Sequence, residues 1–212
     1  MKSLLIDIDT QNDFINKDGA LSVPDAELIR PKLHDLFIGA IRKGVPIIST
    51  MDTHTSDDPE FATYPPHCIR ETMGWDKIRE TKPYRSSFVS ISDDNATGVP
   101  KKTLEQCMQF MIYKKTYDVW DSSLGNPNAI KDVLDYFKPL RIMLCGVATD
   151  ICVVAAAKGI AKWASSCGYE PSLWVIKDAV RGLSLDSEVE AFSTMMNYGF
   201  IRTDSKSAIC MM

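Results

Sequence analysis

Short apolar segments alternate along this chain with segments whose apolar residues recur every three or four positions. The short segments are typical of β-strands, and the periodic ones are typical of amphipathic helices packed on a core. Strands that are separated by helices pair in parallel, because each helix returns the chain to the same edge of the sheet. The alternation therefore predicts a three-layer α/β/α domain with helices on both faces of a parallel sheet.

The predicted elements extend over most of the chain. Strands are expected at 3–9, 45–51, 109–113, 140–145, 173–177 and 200–201. Helices are expected at 25–43, 128–137, about 150–165 and 187–198. Residues 52–108 contain many prolines and glycines, and a long irregular insertion in a compact domain is usually functional. We interpret residues 1–212 as one domain with a loop-rich insertion around 52–108.

The composition limits the binding partners and the cellular compartment that can be expected for this protein. Charged residues make up 25% of the 212 residues and the net charge is −4 at pH 7, so nothing favours nucleic acid or an anionic membrane as a partner. No apolar run reaches the ~18 residues that a membrane-spanning helix needs. Two aspartates interrupt the apolar N-terminal segment, which argues against a secretory signal. We expect a cytoplasmic protein with six reduced cysteines, since the chain contains no Cys-x-x-Cys pair.

Reactive side chains follow four of the predicted strands. Asp9, Asp52 and Lys114 come directly after strands, and Cys152 lies in the first turn of the helix that follows another. The carboxyl ends of parallel strands lie along one edge of the sheet, where open α/β proteins bind their ligands. The sequence therefore predicts that these four residues converge, although Lys115 is an alternative to Lys114 on position alone.

Cys152 is a candidate nucleophile because of its place at a predicted helix N-terminus, with Thr149 or Asp150 as the capping residue. Free N–H groups and the helix dipole favour a thiolate there. The same N–H groups are suited to holding the oxyanion of an attacked carbonyl. The alternative is a small side chain packed under an alanine-rich helix.

Three potential metal ligands lie in or next to the insertion. Asp52 and His54 are two residues apart, on the same side of an extended segment, and His67 follows in Tyr-Pro-Pro-His-Cys. Two histidines and one carboxylate suit Zn²⁺, Fe²⁺ or Mn²⁺. Cys68 is an alternative ligand. The competing interpretation is an Asp–His hydrogen bond in a loop and a histidine at the surface.

Two motifs indicate a family. Residues 9–14, Asp-Thr-Gln-Asn-Asp-Phe, resemble the Asp-x-Gln-Asn-Asp-Phe motif of the isochorismatase-like cysteine hydrolases. Residues 146–153, Gly-Val-Ala-Thr-Asp-Ile-Cys-Val, resemble the nucleophile motif of that family. Lys114 is similar in its context to the family's catalytic lysine. The resemblance extends over nearly the whole chain, to Asp178-Ala179 after the fifth strand, and implies a doubly wound, mostly parallel sheet of about six strands.

The middle of the chain resembles the nicotinamidase/pyrazinamidase branch of that family. Residues 52–54 resemble its Asp-Trp-His metal motif, and residues 64–68 are similar to its Trp-Pro-x-His-Cys motif. Thr53, Tyr64 and Glu71 depart from the branch, which has an aromatic residue, a tryptophan and a glycine at these positions. These departures bear on the substrate more than on the chemistry.

The resemblance implies a catalytic triad of Asp9, Lys114 and Cys152. It also implies a cis peptide bond between Val147 and Ala148. The backbone N–H groups of Ala148 and Cys152 would then hold the oxyanion.

The resemblance further implies a divalent metal ion, zinc first with iron or manganese as alternatives, held by Asp52, His54 and His67. Phe14 and Tyr64 would pack on the substrate ring. The implied activity is hydrolysis of nicotinamide, or of a close carboxamide such as pyrazinamide, to the acid and ammonia through a cysteine thioester. Because members of the family are often oligomers, a homo-oligomer is expected.

Other functions compete with this interpretation. The same fold could act on a different small amide. From other classes, Cys152 could be a redox-active thiol, or the chain could be an inactive binding module. Nothing near Cys152 in the sequence supplies a resolving cysteine, which weighs against a redox role, and the apparently intact triad weighs against an inactive module.

Overall fold

The computed structural model describes residues 3–83, 88–91 and 98–212. Seven strands are found in this part of the chain: β1 (Ser3–Ile8), β2 (Ile47–Asp52), β3 (Phe88–Ile91), β4 (Gln109–Lys114), β5 (Arg141–Val147), β6 (Ser172–Arg181) and β7 (Phe200–Thr203). They form one sheet in the order β3-β4-β2-β1-β5-β6-β7, and all its strand pairs are parallel.

The helices lie between the strands on both faces of the sheet. The α-helices are α1 (Asn12–Ile15), α2 (Arg30–Lys43), α3 (Lys101–Gln106), α4 (Pro127–Phe137), α5 (Val154–Ser166), α6 (Leu185–Asn197) and α7 (Ser205–Met211). The predicted three-layer, doubly wound architecture is confirmed, with seven described strands where about six were expected. Among the described residues, none of the helices has the length and apolar character required to cross a bilayer.

Alternation along β1 divides the core between the two faces of the sheet. Leu4, Ile6 and Ile8 pack in the cluster that contains the buried sides of α4, α5 and α6. Leu5 points to the opposite face and packs in the cluster formed with α2 and α7. Because β1 is covered on both sides, its apolar residues are fully buried whichever face they point to.

The strand order places β1 at the switch point of the sheet. From β1 the chain builds β2, β4 and β3 toward one edge, and then returns to place β5, β6 and β7 on the other side. At such a point the connections leave in opposite directions and open a crevice at the carboxyl ends of the strands. Asp9, Asp52 and Lys114 lie at the ends of β1, β2 and β4 and therefore face this crevice.

Several element boundaries differ from the sequence prediction. The helix predicted at 25–43 divides into a 3-10 turn at Ala26–Ile29 followed by α2. The strand predicted at 173–177 extends to Arg181, so Asp178 lies inside β6, where its carboxylate accepts hydrogen bonds from Ser205. Helix α7 was not predicted, and Asp204 caps it.

Gly146 on β5 is a position that only glycine fits. Its φ is +111°, and a Cβ built there would lie 2.0 Å from the Ile8 carbonyl oxygen of β1. Gly168, after α5, has a φ of +61° but no atom within 4 Å of an added Cβ. Both glycines therefore have a positive φ, but only Gly168 has room for the Cβ atom of another residue.

Gly146→Ala is expected to lower the free energy of unfolding by roughly 3 kcal/mol or more, because it adds backbone strain and overlap with β1. Gly168→Ala should cost only about 1 kcal/mol, the penalty of the left-handed conformation alone. Urea unfolding followed by circular dichroism measures both values. Equal losses for the two variants would contradict the close approach of β5 to β1.

Candidate active site

Lys114 at the end of β4 lies between two carboxylates. Its Nζ is 2.8 Å from Oδ2 of Asp9 and 3.6 Å from Oδ1 of Asp52, and its side chain is 1% exposed. Burial alone would lower the pKa of Lys114, but Asp52, Asp9 and the Cys152 thiolate charge raise it well above its ordinary value. Lys114 therefore stays an ammonium, whereas the neighbouring Lys115 is exposed.

Asp9 is held from the neighbouring strand. The Thr50 hydroxyl of β2 donates a hydrogen bond of 2.7 Å to Oδ1 of Asp9, and the Asp9 N–H donates to the Thr50 carbonyl at 3.2 Å. Asp9 has a φ of +48°, which is uncommon for a residue other than glycine. The turn after β1 thus directs this buried carboxylate toward Lys114. Sequence patterns gave no sign of the role of Thr50.

Cys152 lies in a wide π-helical turn, Thr149–Val153, that precedes α5. Burial raises the pKa of its thiol well above the ordinary value, Lys114 opposes this rise, and Asp9 and Asp52 reinforce it. Burial, the largest of these causes, favours the protonated thiol, and the stabilisation of a thiolate by the helix N-terminus stays a prediction. A hydrogen bond between the thiol and Asp9 also contributes to the rise. The Val147–Ala148 peptide bond is cis, as the resemblance implied.

The two predicted capping residues tie the cysteine turn to the loop after β6 instead. The Asp150 carboxylate accepts hydrogen bonds from the Leu183 N–H at 3.1 and 3.2 Å. The Thr149 hydroxyl donates to Glu188, which also accepts from the Gly182 N–H at 2.7 Å. These contacts fix the turn that carries Cys152 against the start of α6.

Asp52, His54 and His67 form a cluster of potential metal donors, all buried and within 4.8 Å of one another. Nε2 of His54 and Nε2 of His67 are 3.2 and 3.6 Å from Oδ2 of Asp52. Nδ1 of His67 is 2.9 Å from the Pro65 carbonyl oxygen. A proton on Nδ1 would donate to that carbonyl and leave Nε2 free to coordinate a metal.

The charges of the cluster favour a bound cation. Burial alone would lower the pKa of His54, but Asp52 and Asp58 raise it to about 9. Burial would raise the pKa of Asp52, but Lys114, His54 and His67 hold it well below its ordinary value. Oδ1 of Asp52 and both ring nitrogens of His54 are buried without an aligned hydrogen-bond partner among the described residues. This donor set fits a divalent metal ion.

Asp58 and Glu60 approach the cluster from different sides. Oδ2 of Asp58 is 3.0 Å from Nδ1 of His54, on the ring nitrogen that faces away from Asp52. Carboxylate oxygens of Glu60 lie 3.9 Å from Nε2 of His54 and 4.0 Å from Nε2 of His67. Cys68 belongs to neither donor group found among the described residues.

The 9–14 motif also supports the metal donors. The Gln11 side chain accepts from the Asp52 N–H at 2.7 Å and donates to the Asp52 carbonyl at 2.8 Å. The Asp13 carboxylate accepts from the Cys68 N–H, next to His67, at 2.7 Å. Sequence analysis recognised the motif but missed these two roles, because they depend on contacts between distant segments.

The three departures from the nicotinamidase motifs have different surroundings. The Thr53 hydroxyl donates to the Met51 carbonyl and accepts from the Trp75 indole. Glu71 is exposed in a left-handed conformation with a φ of +67°, the conformation for which glycine is suited. Tyr64 is 49% exposed at the opening of the pocket.

A cavity of about 130 Å³ lies between the turn that carries Cys152 and the metal donors Asp52 and His67. Phe14 and Tyr64 line it, and their packing on a substrate ring stays a prediction; Cys152, Ala148 and Asp52 also lie on its wall. Most of its remaining wall is apolar. At roughly 30 Å³ for each water molecule, the cavity has room for about four waters, or for one small ring.

A family model establishes what kind of chain this is. Residues 3–207 match the model described as "Isochorismatase domain". The chain belongs to the isochorismatase family. The match includes the positions of Asp9, Lys114 and Cys152.

This isochorismatase-family chain is similar to proteins from yeast, bacteria and archaea. The nicotinamidase of Schizosaccharomyces pombe is 26% identical, over 88% of this chain and 86% of that protein. The solved pyrazinamidase/nicotinamidase of Streptococcus mutans has a TM-score of 0.71 at 26% identity, covering 95% of this chain and 100% of that one. The pyrazinamidase of Pyrococcus horikoshii, solved in complex with zinc, shares the fold with a TM-score of 0.72 at 24% identity, covering 96% and 99%.

His67→Ala is expected to weaken metal binding by at least about 100-fold, because it removes one of three donors. His34→Ala is the matched control, since His34 is exposed on α2 and far from the cluster in sequence. Zinc titration against a chelating dye measures both affinities. Unchanged affinity in His67→Ala would show that the cluster does not hold the ion.

Proposed function

We propose that this protein is an amidohydrolase that converts nicotinamide, or a close carboxamide such as pyrazinamide, to the acid and ammonia. One observation carries the proposal: Asp9, Lys114 and Cys152 lie together beside the Asp52, His54 and His67 donors. The same small cavity borders both groups. The yeast and bacterial relatives named as nicotinamidases support this assignment.

In the first half of the reaction, Asp9 accepts the Cys152 proton and the thiolate attacks the amide carbonyl. Asp9 is then neutral, and the Lys114 ammonium stabilises the thiolate charge beside the remaining carboxylate, Asp52. The backbone N–H groups of Ala148 and Cys152 hold the oxyanion of the tetrahedral intermediate. Asp9 then gives its proton to the departing nitrogen, which leaves as ammonia, and a thioester remains on Cys152.

In the second half, water hydrolyses the thioester. Asp9, once more a carboxylate, takes a proton from the water as the water oxygen attacks the carbonyl carbon. The carbon–sulfur bond breaks, the acid leaves, and the proton returns to the Cys152 sulfur. The raised pKa of the Cys152 thiol makes this return favourable and restores the resting site.

Asp52, His54 and His67 would hold the divalent ion, which we propose to be zinc. The zinc complex of the Pyrococcus horikoshii pyrazinamidase supports this choice. When bound, the ion would supply a coordination position for a ring nitrogen of the substrate and so orient the ring. Asp58 would fix the His54 ring from its other nitrogen, as partners of metal-binding histidines commonly do. Glu60 lies on the same side as the coordinating nitrogens and is a further candidate ligand.

The cavity wall favours a neutral, flat substrate. Phe14 and Tyr64 would pack against the ring. The charged acidic residues on the wall are the carboxylates Asp52 and Glu60, and no lysine or arginine of the described chain lines it. A second candidate substrate is another small neutral amide, because Thr53 replaces an aromatic residue and the half-exposed Tyr64 replaces a tryptophan of the nicotinamidase motifs. A redox role for Cys152 is disfavoured, since no second cysteine of the described residues lines the cavity to act as a resolving thiol.

We also propose that the protein is cytoplasmic and assembles with copies of itself. All six cysteines are free, which suits a reducing compartment. Leu185 and Val189 on α6 are 74% and 67% exposed and offer an apolar face for association. The absence of nucleic acid or a membrane as a partner stays a prediction from charge and composition.

Cys152→Ala is expected to abolish ammonia release from nicotinamide, with a loss of about 10⁴-fold or more, because no other group can form the thioester. Cys167→Ala removes an exposed cysteine after α5 and should keep the wild-type rate. Removing the metal with a chelator should lower the rate of the wild type. An enzyme-coupled ammonia assay measures all three proteins.

Each result of that assay has a defined meaning. Wild-type turnover in Cys152→Ala would overturn the covalent mechanism. A wild-type protein that is folded and loaded with metal but releases no ammonia from nicotinamide or pyrazinamide would overturn the proposed substrate. The cysteine hydrolase chemistry would then be tested on other small neutral amides.

An added carboxylate on the substrate ring is expected to lower kcat/KM by at least about 100-fold relative to nicotinamide. The carboxylate would lose its hydration in a small, mostly apolar cavity that no lysine or arginine of the described chain lines, and burying a charge without such a partner is costly. Steady-state kinetics with nicotinamide and a ring-carboxylated analogue measure the ratio, and a methyl-substituted analogue controls for size. Similar values for the charged and methyl analogues would show that charge does not select the substrate.

A further inference from the structure

Lys77 is a buried lysine that the proposed mechanism does not use. Its side chain is 1% exposed, and its Nζ lies 2.5 Å from Oδ2 of Asp7 and 2.7 Å from the hydroxyl of Thr10. Asp7 precedes Asp9 by two residues on β1, and Thr10 directly follows it. Lys77 therefore contacts the chain on both sides of Asp9, although it comes from the insertion.

The contacts of Lys77 form a closed set. The Thr10 hydroxyl donates to Oδ1 of Asp7 at 2.8 Å, and the hydroxyl of Thr81 lies 2.8 Å from that of Thr10. Both oxygens of the Asp7 carboxylate are therefore engaged, and its charge is balanced by an ammonium. A buried ion pair with this geometry fixes its members firmly, since each charge is costly without the other.

Backbone hydrogen bonds join the same two segments. The Ile78 N–H donates to the Thr10 carbonyl at 3.0 Å, and the Asn12 N–H donates to the Asp76 carbonyl at 2.9 Å. Gln11 forms an antiparallel bridge with Lys77. The insertion thus lies as a strap, residues 73–81, across the turn that begins with Asp9.

The conformation of Asp9 needs such support. A φ of +48° is unfavourable for an aspartate and persists only where the surroundings hold it in place. Thr50 holds the carboxylate itself. Lys77 holds the residues on either side of it.

We propose that Lys77 is a positioning residue: through Asp7 and Thr10 it holds the left-handed turn that directs the Asp9 carboxylate toward Cys152 and Lys114. This inference rests on the proposed role of Asp9 as the base. It assigns to the insertion a part in the proton transfer that is separate from its metal ligands.

The test compares the reactivity of Cys152 in three variants. Lys77→Met removes the ammonium and leaves Asp7 unpaired. Asp7→Asn/Lys77→Met removes both charges, so that no buried charge is left uncompensated and the fold should regain much of its stability. Arg30→Met is the matched control, because the Arg30–Glu80 ion pair anchors the same strap to α2, away from Asp9.

The readout is the rate of Cys152 alkylation by iodoacetamide, followed by mass spectrometry of the peptide that contains it. The sulfur attacks as a thiolate and displaces iodide, and its proton passes to a base. The rate therefore depends on the position of the Asp9 carboxylate, which both disfavours the thiolate charge and is proposed to accept the proton, whatever the natural substrate is. All proteins are assayed well below their melting temperatures, with circular dichroism to verify folding. Asp9→Asn sets the direction of the effect, and we expect Lys77→Met and the double variant to shift the rate at least about 10-fold in that same direction, with Arg30→Met within about 2-fold of the wild type.

The remaining outcomes separate this inference from the proposed function. A double variant that regains both stability and the wild-type alkylation rate would show that Lys77 only balances the charge of Asp7, and would overturn the inference. Asp9→Asn is the reference variant. If Asp9→Asn changes the alkylation rate and neither Lys77→Met nor the double variant does, the inference alone fails. If Asp9→Asn reacts like the wild type, the role of Asp9 as the base fails, and the inference fails with it.

Discussion

The buried ammonium of Lys114 is the interaction on which both parts of the site depend. It lies 2.8 Å from Asp9 and 3.6 Å from Asp52, and both carboxylates are shielded from water. Without it, two buried negative charges would face each other across the ends of β1 and β2, which is unfavourable in a low-dielectric interior. The same charge therefore allows Asp9 to act as a base and Asp52 to remain an ionised metal ligand.

The charge balance explains why the two parts belong together. Asp9, Asp52 and Lys114 sum to one negative charge, and Asp52 and Asp58 raise the pKa of His54 to about 9 because they favour a positive charge beside them. A divalent ion bound to Asp52, His54 and His67 would offset this negative charge with two positive charges instead of one. The catalytic and metal groups are thus coupled through charge, and a change in either one alters the field at the other.

The sequence predicted the sheet and the convergence of the site, because both follow from patterns that are local. Apolar periodicity located the strands, and parallel pairing then placed the residues at their carboxyl ends on one edge. It did not predict the roles of Thr50, Gln11, Asp13 and Lys77, since a side-chain hydrogen bond between distant segments leaves no periodic trace. The extension of β6 was missed for a similar reason: Asp178 looks like the end of a strand until Ser205 satisfies its carboxylate.

Backbone strain shows how the insertion and the first strand hold each other in place. Asp9 and Cys68 have φ values of +48° and +45°; Asp9 lies in the candidate site, and Cys68 directly follows the metal donor His67. Each such conformation costs roughly 1–3 kcal/mol and must be offset by surrounding contacts. For Asp9 and Cys68 those contacts come from other segments: Thr50 binds the Asp9 carboxylate, and Asp13 binds the Cys68 N–H. The motif that carries the proposed base thus steadies the segment that carries a metal ligand, and the strap from that insertion steadies the base in return. The geometry of each group depends on the other, so neither segment would keep its active conformation alone.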